Sequence, residues 1–209
     1  MLIRRRIDRL INIRGYKMLG KYRNYYQKIL LPFGKVFSIL SISPNTLTIL
    51  SLMASAGAMV GYMENKILLG VFFILVTGFF DMADGTTARY TKNESRFGSV
   101  LDHVVDRYAE FFIITGIVLG GYVSWVWGFA ALFGMIMASF TRAKAESVGG
   151  MASCTVGIAE RQEKLILVII GSLAQFYYDN ALLYAVVIIA VVSHITVIQR
   201  LLYAKRKLE

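Results

Sequence analysis

The 209-residue sequence has little of several residue types, and each scarcity excludes a class of protein. Its single cysteine excludes a disulfide framework and any zinc site built from several cysteines of one chain. Charged residues make up only 17%, against roughly 25% in average globular chains. Hydrophobic residues reach 56%, too many for intrinsic disorder, and the 18 glycines follow no collagen period. The composition therefore indicates a helical membrane protein with several spans.

Six apolar segments are long enough for membrane helices, since a bilayer core about 30 Å thick needs about 20 helical residues. We predict spans at Pro44–Met63, Leu68–Ala88, Gly98–Gly121, Val123–Ala143, Lys164–Tyr178 and Ala181–Leu202. The fifth segment is the least apolar at its start, where Glu160, Arg161, Glu163 and Lys164 lie. A soluble all-α bundle is the alternative, but the length of the apolar runs favours an integral membrane protein of six helices.

Lysine and arginine are distributed unevenly, and their positions predict the orientation of the chain. Ten of the 23 lie in residues 1–35, and others flank the second-to-third connection, the fourth-to-fifth connection and the C-terminus. The three remaining connections hold only Lys66. With six spans, all basic segments fall on one side, which the positive-inside rule makes cytoplasmic. We therefore expect a multi-pass protein of the cytoplasmic membrane with both termini inside.

Residues 1–43 combine basic side chains with Leu, Ile, Phe and Tyr at helical spacing. This pattern is typical of an amphipathic juxtamembrane helix on an anionic inner leaflet. A solvated basic tail is the alternative. The net charge of +10 also raises nucleic-acid binding, but a basic amphipathic helix beside spans favours a lipid surface, so we expect no nucleic acid as partner. The predicted division is this segment, a six-helix domain at 44–204 and a basic tail at 205–209.

Four aspartates lie at the ends of two predicted spans, where ionisable residues are costly and by default mark a functional site. Asp81 and Asp84 are three residues apart and Asp102 and Asp106 are four apart, so each pair shares one helix face. A short loop joins the helices and places both pairs at the cytoplasmic end. Two hard divalent ions, Mg²⁺ or Mn²⁺, would neutralise such carboxylates and hold a phosphoryl or pyrophosphate group. The structural alternative is pairing with neighbouring arginines, namely Arg89, Arg96 and Arg107.

Residues 81–106 read DMADGTTARYTKNESRFGSVLDHVVD. This segment resembles the signature of the CDP-alcohol phosphotransferase family, D-x2-D-G-x2-A-R-x8-G-x3-D-x3-D. Every fixed position matches: Asp81, Asp84, Gly85, Ala88, Arg89, Gly98, Asp102 and Asp106. Members transfer a phosphate-linked group from a CDP-alcohol to an acceptor hydroxyl and release CMP. The resemblance extends over residues 44–204 and implies a homodimer.

The resemblance implies a role for each matching residue. The four aspartates would hold two metal ions, and Asp106 would also act as general base on the acceptor hydroxyl. Gly85, Arg89 and Ser95 match positions that contact the CDP moiety in this family. His103 points about 100° away from Asp102 around the helix, which favours a packing or supporting role over metal ligation.

Small residues and a helix start complete the predicted binding region for the CDP-lipid. Ala88 and Gly98 would let the two helices, or a ligand, approach closely. The stretch PNTLT, with Pro44, Asn45 and Thr48, resembles the family's second nucleotide-contacting segment. Pro44 and Asn45 are also simply a plausible helix start, so both interpretations stay open here.

Four cations at the predicted depth of the carboxylates bear on the acceptor. Arg142 and Lys144 end the fourth span, Arg161 opens the fifth, and Arg200 nears the end of the sixth. Together they would form a phosphate-binding cluster, and the alternative is the positive-inside bias alone. A basic pair, VGIAER and a sixth-span QR resemble the inositol-phosphate branch of the family. That branch contains the prokaryotic phosphatidylinositol phosphate synthases and archaeal counterparts that use CDP-archaeol.

We therefore predict transfer of a phosphatidyl-type group from a CDP-lipid, CDP-diacylglycerol or CDP-archaeol, onto inositol 1-phosphate, with release of CMP. Glycerol 3-phosphate is the alternative phosphorylated acceptor, and serine and free inositol are unphosphorylated ones. The alternative from another class is a cation transporter, for which intramembrane carboxylates are also typical. A transporter would place them near the bilayer midplane, whereas these four cluster at one side.

Overall fold

The computed structural model describes residues 23–209, with side chains from residue 31 onward. Every regular element in this range is an α-helix, which confirms the predicted all-α class for these residues. The helices are α1 (Arg23–Ile39), α2 (Pro44–Met63), α3 (Ile67–Tyr90), α4 (Arg96–Leu119), α5 (Trp125–Ser147), α6 (Arg161–Ala174) and α7 (Ala181–Leu208). Residues 1–22 of the predicted amphipathic segment lie outside the described residues.

Each of the six predicted spans overlaps one helix from α2 to α7. Four of these helices, α2, α3, α5 and α7, are long and apolar enough to cross a membrane. Helix α4 has 24 residues but carries several charges, and α6 has 14 residues, about 21 Å of helix at 1.5 Å per residue. The fifth predicted segment, Lys164–Tyr178, begins and ends a few residues later than α6, which runs from Arg161 to Ala174. Spanning by α4 and α6 stays a prediction.

The helices pack in two groups that meet along α3, α4, α5 and α6. Helix α2 lies against both α3 and α4, and α1 packs on α3. Helix α7 lies against α5 and α6, while contacts of α4 with α5 and of α3 with α6 join the groups. The largest fully buried side chains include Tyr62, Ile74, Ile113 and Ile189, from four different helices. This packing brings the end of α3 beside the beginnings of α4 and α6.

Polar caps fix where the helices of this region begin. Ser43 Oγ accepts a hydrogen bond from Thr46 N at 3.1 Å, and Pro44 takes the first position of α2. Ser95 Oγ accepts from Gly98 N at 2.9 Å at the start of α4. A side-chain oxygen that caps a helix satisfies one of its unpaired amide groups, so these serines set the helix register near the carboxylates.

The other ends of α2, α3 and α4 are packed closely through glycine. A Cβ on Gly61 would lie 2.7 Å from Gly70 N, and one on Gly116 would lie 2.6 Å from Met59 Cα. Both neighbours are backbone atoms, which cannot move aside as a flexible side chain could. Next to them, Tyr62 Oη and Ser172 Oγ are hydrogen-bonded at 2.7 Å and link α2 to α6. Glycine thus permits contact between helix backbones at this end of the bundle.

Candidate active site

The acidic cluster, defined as Asp81, Asp84, Asp102 and Asp106, lies where the end of α3 meets the beginning of α4. Asp84 is 6% exposed, and the side chains of Asp81 and Asp106 are 17% and 15% exposed. Asp102 is the most accessible of the four, with 37% of its side chain exposed. Asp84 interacts electrostatically with both Asp81 and Asp102, so the pairs from the two helices face one region. The structure brings together the four aspartates that the sequence singled out.

One guanidinium connects the two helices of the acidic cluster. Arg161 Nη1, at the first residue of α6, lies 2.7 Å from Asp81 Oδ1 and 2.6 Å from Asp106 Oδ1. The contact with Asp81 has the distance and the angle of a hydrogen bond. Asp106 Oδ1 is buried, and no donor reaches it with a hydrogen-bonding angle. The contact with Asp106 is therefore an ion pair of short distance and poor alignment. Through Arg161, α6 becomes part of the site.

Thr48 ties helix α2 to the acidic cluster. Its hydroxyl donates a hydrogen bond of 2.6 Å to Asp84 Oδ2, and both side chains are buried. This contact fixes the direction of one carboxylate of the acidic cluster. Pro44, one turn earlier, is the first residue of α2, and Ala88 is half-buried one turn after Asp84 on α3.

Several residues predicted to contact CDP lie together beside the acidic cluster. A Cβ on Gly98 would lie 2.9 Å from Ser95 Oγ and 3.2 Å from Asn45 Oδ1. Asn45 at the start of α2 therefore faces the start of α4. On α3, a Cβ on Gly85 would lie 3.4 Å from Arg89 Nη1, and Arg89 is exposed. Two groups of polar atoms thus flank the carboxylates, one from α2 and α4 and one from the last turn of α3.

Two of the four predicted phosphate-binding cations gather around the segment between α5 and α6. Arg200 Nε donates to Val156 O at 2.9 Å, and its Nη1 donates to Ala138 O at 2.5 Å. Arg142 Nε pairs with Glu146 Oε1 at 3.0 Å. Arg142 and Arg200 also interact electrostatically with each other. Arg200 is held between two backbone carbonyls, so its guanidinium has a fixed position.

The other two predicted cations take different directions. Arg161 contacts Asp81 and Asp106 of the acidic cluster. Lys144 is exposed, and its Nζ lies 5.6 Å from the centre of the Phe140 ring, within reach of a cation–π interaction. The structure therefore places Arg142 and Arg200 together, Arg161 on the carboxylates, and Lys144 on an exposed face of α5.

The acidic cluster fits divalent cations in donor type and in charge. The possible ligand atoms of Asp102, His103 and Asp106 all lie within 4.8 Å of one another. Among the described residues, cations compensate the carboxylates only in part, because Arg161 pairs with two of the four and Arg107 also pairs with Glu110. Buried carboxylate oxygens without full compensation suit hard ions such as Mg²⁺ and Mn²⁺. His103 belongs to this group by distance, although its side chain is 70% exposed.

Comparison with known proteins decides the family. Residues 41–198 match the family model described as CDP-alcohol phosphatidyltransferase. The chain belongs to this family. It is therefore a membrane-associated transferase of phospholipid biosynthesis, and the all-helical fold with its four apolar helices agrees with that class.

Named relatives in this family are inositol-lipid phosphate synthases. The archaetidylinositol phosphate synthase of Pyrococcus horikoshii is 39% identical over 193 residues, which cover 92% of this chain and 99% of that protein. The phosphatidylinositol phosphate synthase of Streptomyces avermitilis is 31% identical, covering 92% of this chain and 85% of that one. The resemblance to the inositol-phosphate branch is thereby confirmed.

Solved structures of one family member resemble this fold closely. The crystal structure of Mycobacterium tuberculosis phosphatidylinositol phosphate synthase with CDP-DAG bound has a TM-score of 0.77 and 28% identity, covering 85% of this chain and 94% of that one. The same enzyme in complex with manganese and citrate has a TM-score of 0.75 and 28% identity, covering 84% and 88%.

The structure reveals further charged residues that lie deeper than the acidic cluster and are not part of the family signature. Arg107 Nη1 lies 3.0 Å from Glu110 Oε2 and donates to Ser139 Oγ at 2.5 Å, and Arg107 Nη2 lies 3.7 Å from Asp106 Oδ2. Glu110 is 1% exposed and lines a small pocket together with Lys164. One signal for Glu110 was present in the sequence, because it continues the face of Asp102 and Asp106 by one further turn.

Proposed function

We propose that this family member transfers the phosphatidyl-type group of a CDP-lipid onto inositol 1-phosphate and releases CMP. The observation that carries the proposal is the acidic cluster, with CDP-contacting positions on one side and Arg161 within it. The names of the relatives support inositol phosphate as acceptor, and the CDP-DAG bound to the mycobacterial enzyme supports a CDP-lipid as donor. The family assignment favours a transferase over the cation transporter.

The proposed arrangement in the membrane has six spans, α2 to α7, forming the catalytic domain at 44–204. The segment 1–43 would lie on the cytoplasmic surface and residues 205–209 would form a basic tail. The carboxylates would then open toward the cytoplasm at the inner-leaflet boundary, with both termini on that side. A polar acceptor can enter such a site from water while the lipid chains of the donor stay in the bilayer. We further propose a homodimer, as the family resemblance implies.

The acidic cluster would hold two Mg²⁺ or Mn²⁺ ions, as the manganese in the mycobacterial structure supports. When bound, these ions would offset the charge of the pyrophosphate and of the departing CMP. Thr48 keeps Asp84 in a fixed direction through its 2.6 Å hydrogen bond. Gly85, Arg89, Ser95, Asn45 and Gly98 would position the CDP moiety beside the carboxylates, with Pro44 and Ala88 shaping the same region.

The proposed chemistry is a displacement at the lipid-linked phosphorus. The acceptor oxygen forms a bond to this phosphorus, the bond from phosphorus to the CMP oxygen breaks, and CMP departs with that electron pair. Asp106 would take the proton of the acceptor hydroxyl as the new bond forms.

The acceptor phosphate would be bound by Arg142, Lys144, Arg161 and Arg200. Arginine recognises phosphate through two parallel hydrogen bonds; Arg161 is the first residue of α6, and Arg200 is buried near the end of α7. Serine and free inositol carry no phosphate for these cations to bind. Glycerol 3-phosphate carries one and is the competing acceptor.

The test is CMP release by the purified protein with CDP-diacylglycerol or CDP-archaeol and Mg²⁺ or Mn²⁺. Inositol 1-phosphate, glycerol 3-phosphate, serine and free inositol are supplied one at a time, with Asp106→Asn as the control. CMP that appears only with inositol 1-phosphate supports the proposal. Release with glycerol 3-phosphate alone would keep the family chemistry and replace the acceptor. Absence of release with every acceptor and both lipids would contradict the proposed activity.

A further inference from the structure

Arg161 contacts the carboxylate oxygens that the proposed metal ions would need, and this contact carries an inference that rests on the proposed function. One nitrogen, Nη1, lies 2.7 Å from Asp81 Oδ1 and 2.6 Å from Asp106 Oδ1. It thereby joins an aspartate of α3 to an aspartate of α4. A divalent cation at the same oxygens would lie within a few ångströms of the guanidinium, where like charges in a partly buried site repel strongly. Arg161 and a metal ion therefore compete for Asp81 and Asp106.

Two further nitrogens of the same guanidinium lack a hydrogen-bond partner within the described part of the protein. Arg161 Nε and Nη2 are buried, and neither has a hydrogen-bond partner among the described residues. A buried donor without a partner is unfavourable, so these nitrogens favour an acceptor that can enter the site. Nε and one Nη together form the two parallel donors that phosphate oxygens accept. Once Arg161 leaves the carboxylates, its paired donors would fit the phosphate of the acceptor.

The backbone of Arg161 is held in place independently of the contacts that its side chain makes. Arg161 is the first residue of α6, and Glu163 Oε2 accepts from the Glu160 backbone N in the same turn. This capping contact fixes the start of the helix. A change of partner therefore requires rotation of one side chain and no movement of α6.

We propose that Arg161 couples metal binding to acceptor binding. It pairs Asp81 with Asp106 until divalent ions take these oxygens, and the released guanidinium then binds the acceptor phosphate. Linkage requires the reverse effect to be equal, so a phosphate that draws Arg161 away from the carboxylates raises their affinity for metal. Metal and acceptor thus bind with positive cooperativity through one side chain.

The test measures Mn²⁺ affinity from the electron paramagnetic resonance signal of the free ion, without any substrate. The variants are Arg161→Gln and Arg142→Gln. The second is the matched control, because it removes the same charge from the predicted phosphate cluster but its partner is Glu146, outside the acidic cluster. Arg161→Gln should bind Mn²⁺ more tightly than wild type, by roughly 5–150-fold for a typical coupling. Arg142→Gln should keep the wild-type Mn²⁺ affinity.

A second arm adds inositol 1-phosphate to the same titrations. It should raise the Mn²⁺ affinity of the wild type and leave that of Arg161→Gln unchanged. Arg161→Lys keeps the charge but loses the planar fork, so it should bind Mn²⁺ with intermediate affinity. If the glutamine variant does not fold, the lysine variant replaces it in the comparison. Thermal unfolding of each variant checks the fold.

Equal or weaker Mn²⁺ binding by the Arg161 variants would overturn the coupling. CMP release on the same preparations separates this failure from failure of the proposed function. Wild-type protein that releases CMP with inositol 1-phosphate but lacks the coupling overturns this inference alone. Wild-type protein that binds no Mn²⁺ and releases no CMP overturns both.

Discussion

Helices α2, α3 and α4 share two ends of opposite character, and each end holds the helices together in its own way. At one end, hydrogen bonds and ion pairs connect the helices through the side chains of Thr48, Asp84, Asp81 and Asp106. At the other end, Gly61 and Gly116 allow backbone to touch backbone. Among the described residues, the carboxylates at the first end are only partly paired with cations. The helix backbones at the second end pack directly against each other, and no ligand is needed to hold them together.

The difference teaches where stability and function reside. Close packing of apolar groups stabilises the folded state directly, and each buried contact contributes to stability without a partner from solution. Gathering carboxylates is unfavourable by itself and becomes favourable when cations bind. We therefore expect substitutions at the charged end to change metal binding and activity, and substitutions at the glycine end to change the free energy of unfolding.

The largest effect is expected from Asp106→Asn, which removes a carboxylate from the acidic cluster. CMP release should fall by roughly 10²–10⁴-fold, because a positioned general base typically contributes that much. The matched control is Asp179→Asn, an exposed aspartate between α6 and α7. Steady-state CMP release of the two variants with inositol 1-phosphate measures the contrast. A similar loss in both variants would contradict the assignment of chemistry to one end.

The next largest effect is expected from Thr48→Val, which keeps the shape of the side chain but removes the hydroxyl bonded to Asp84. Groups that orient a metal ligand typically contribute 10–100-fold in metal affinity. Titration with Mn²⁺ should show a loss of roughly that size, and Thr48→Ser should restore most of the affinity. Thr48→Val protein with wild-type Mn²⁺ affinity would show that Asp84 needs no such support.

Much of the charged end could be predicted from the sequence, because spacing along a helix determines which side chains share a face. The aspartate pairs are examples, and so is the start of α2 at Pro44, where a proline follows a capping serine. The spans of α2, α3, α5 and α7 followed from long apolar runs. These features are local, so neighbouring residues suffice to predict them.

Contacts between distant helices could not be predicted in the same way. The sequence predicts Arg161 among the phosphate-binding cations, yet its side chain contacts carboxylates 80 and 55 positions away in the chain. Thr48 was assigned to the nucleotide, and its hydroxyl bonds to Asp84. Such pairings depend on how whole helices pack. The predicted fifth segment, Lys164–Tyr178, also extends past the end of α6 at Ala174.

At the glycine end, Gly116→Ala should destabilise the protein by about 1–3 kcal/mol, the usual effect of adding volume to a packed interior. Its new Cβ would lie 2.6 Å from Met59 Cα, so α2 and α4 would have to move apart. Gly78→Ala is the matched control, since no atom lies within 4 Å of its new Cβ. Denaturant titration in detergent gives both values. Equal stability of the two variants would contradict backbone contact at Gly116.

The smallest effect is expected from the hydrogen bond between Tyr62 and Ser172, which closes the glycine end by joining α2 to α6 at 2.7 Å. A double-mutant cycle with Tyr62→Phe, Ser172→Ala and the double variant should give a coupling of about 1 kcal/mol, the usual net value of a buried hydrogen bond. Mn²⁺ affinity should stay unchanged in all three variants, because both hydroxyls lie at the end opposite the carboxylates. A change in Mn²⁺ affinity would show that the two ends are energetically connected and that stability and metal binding do not reside at separate ends.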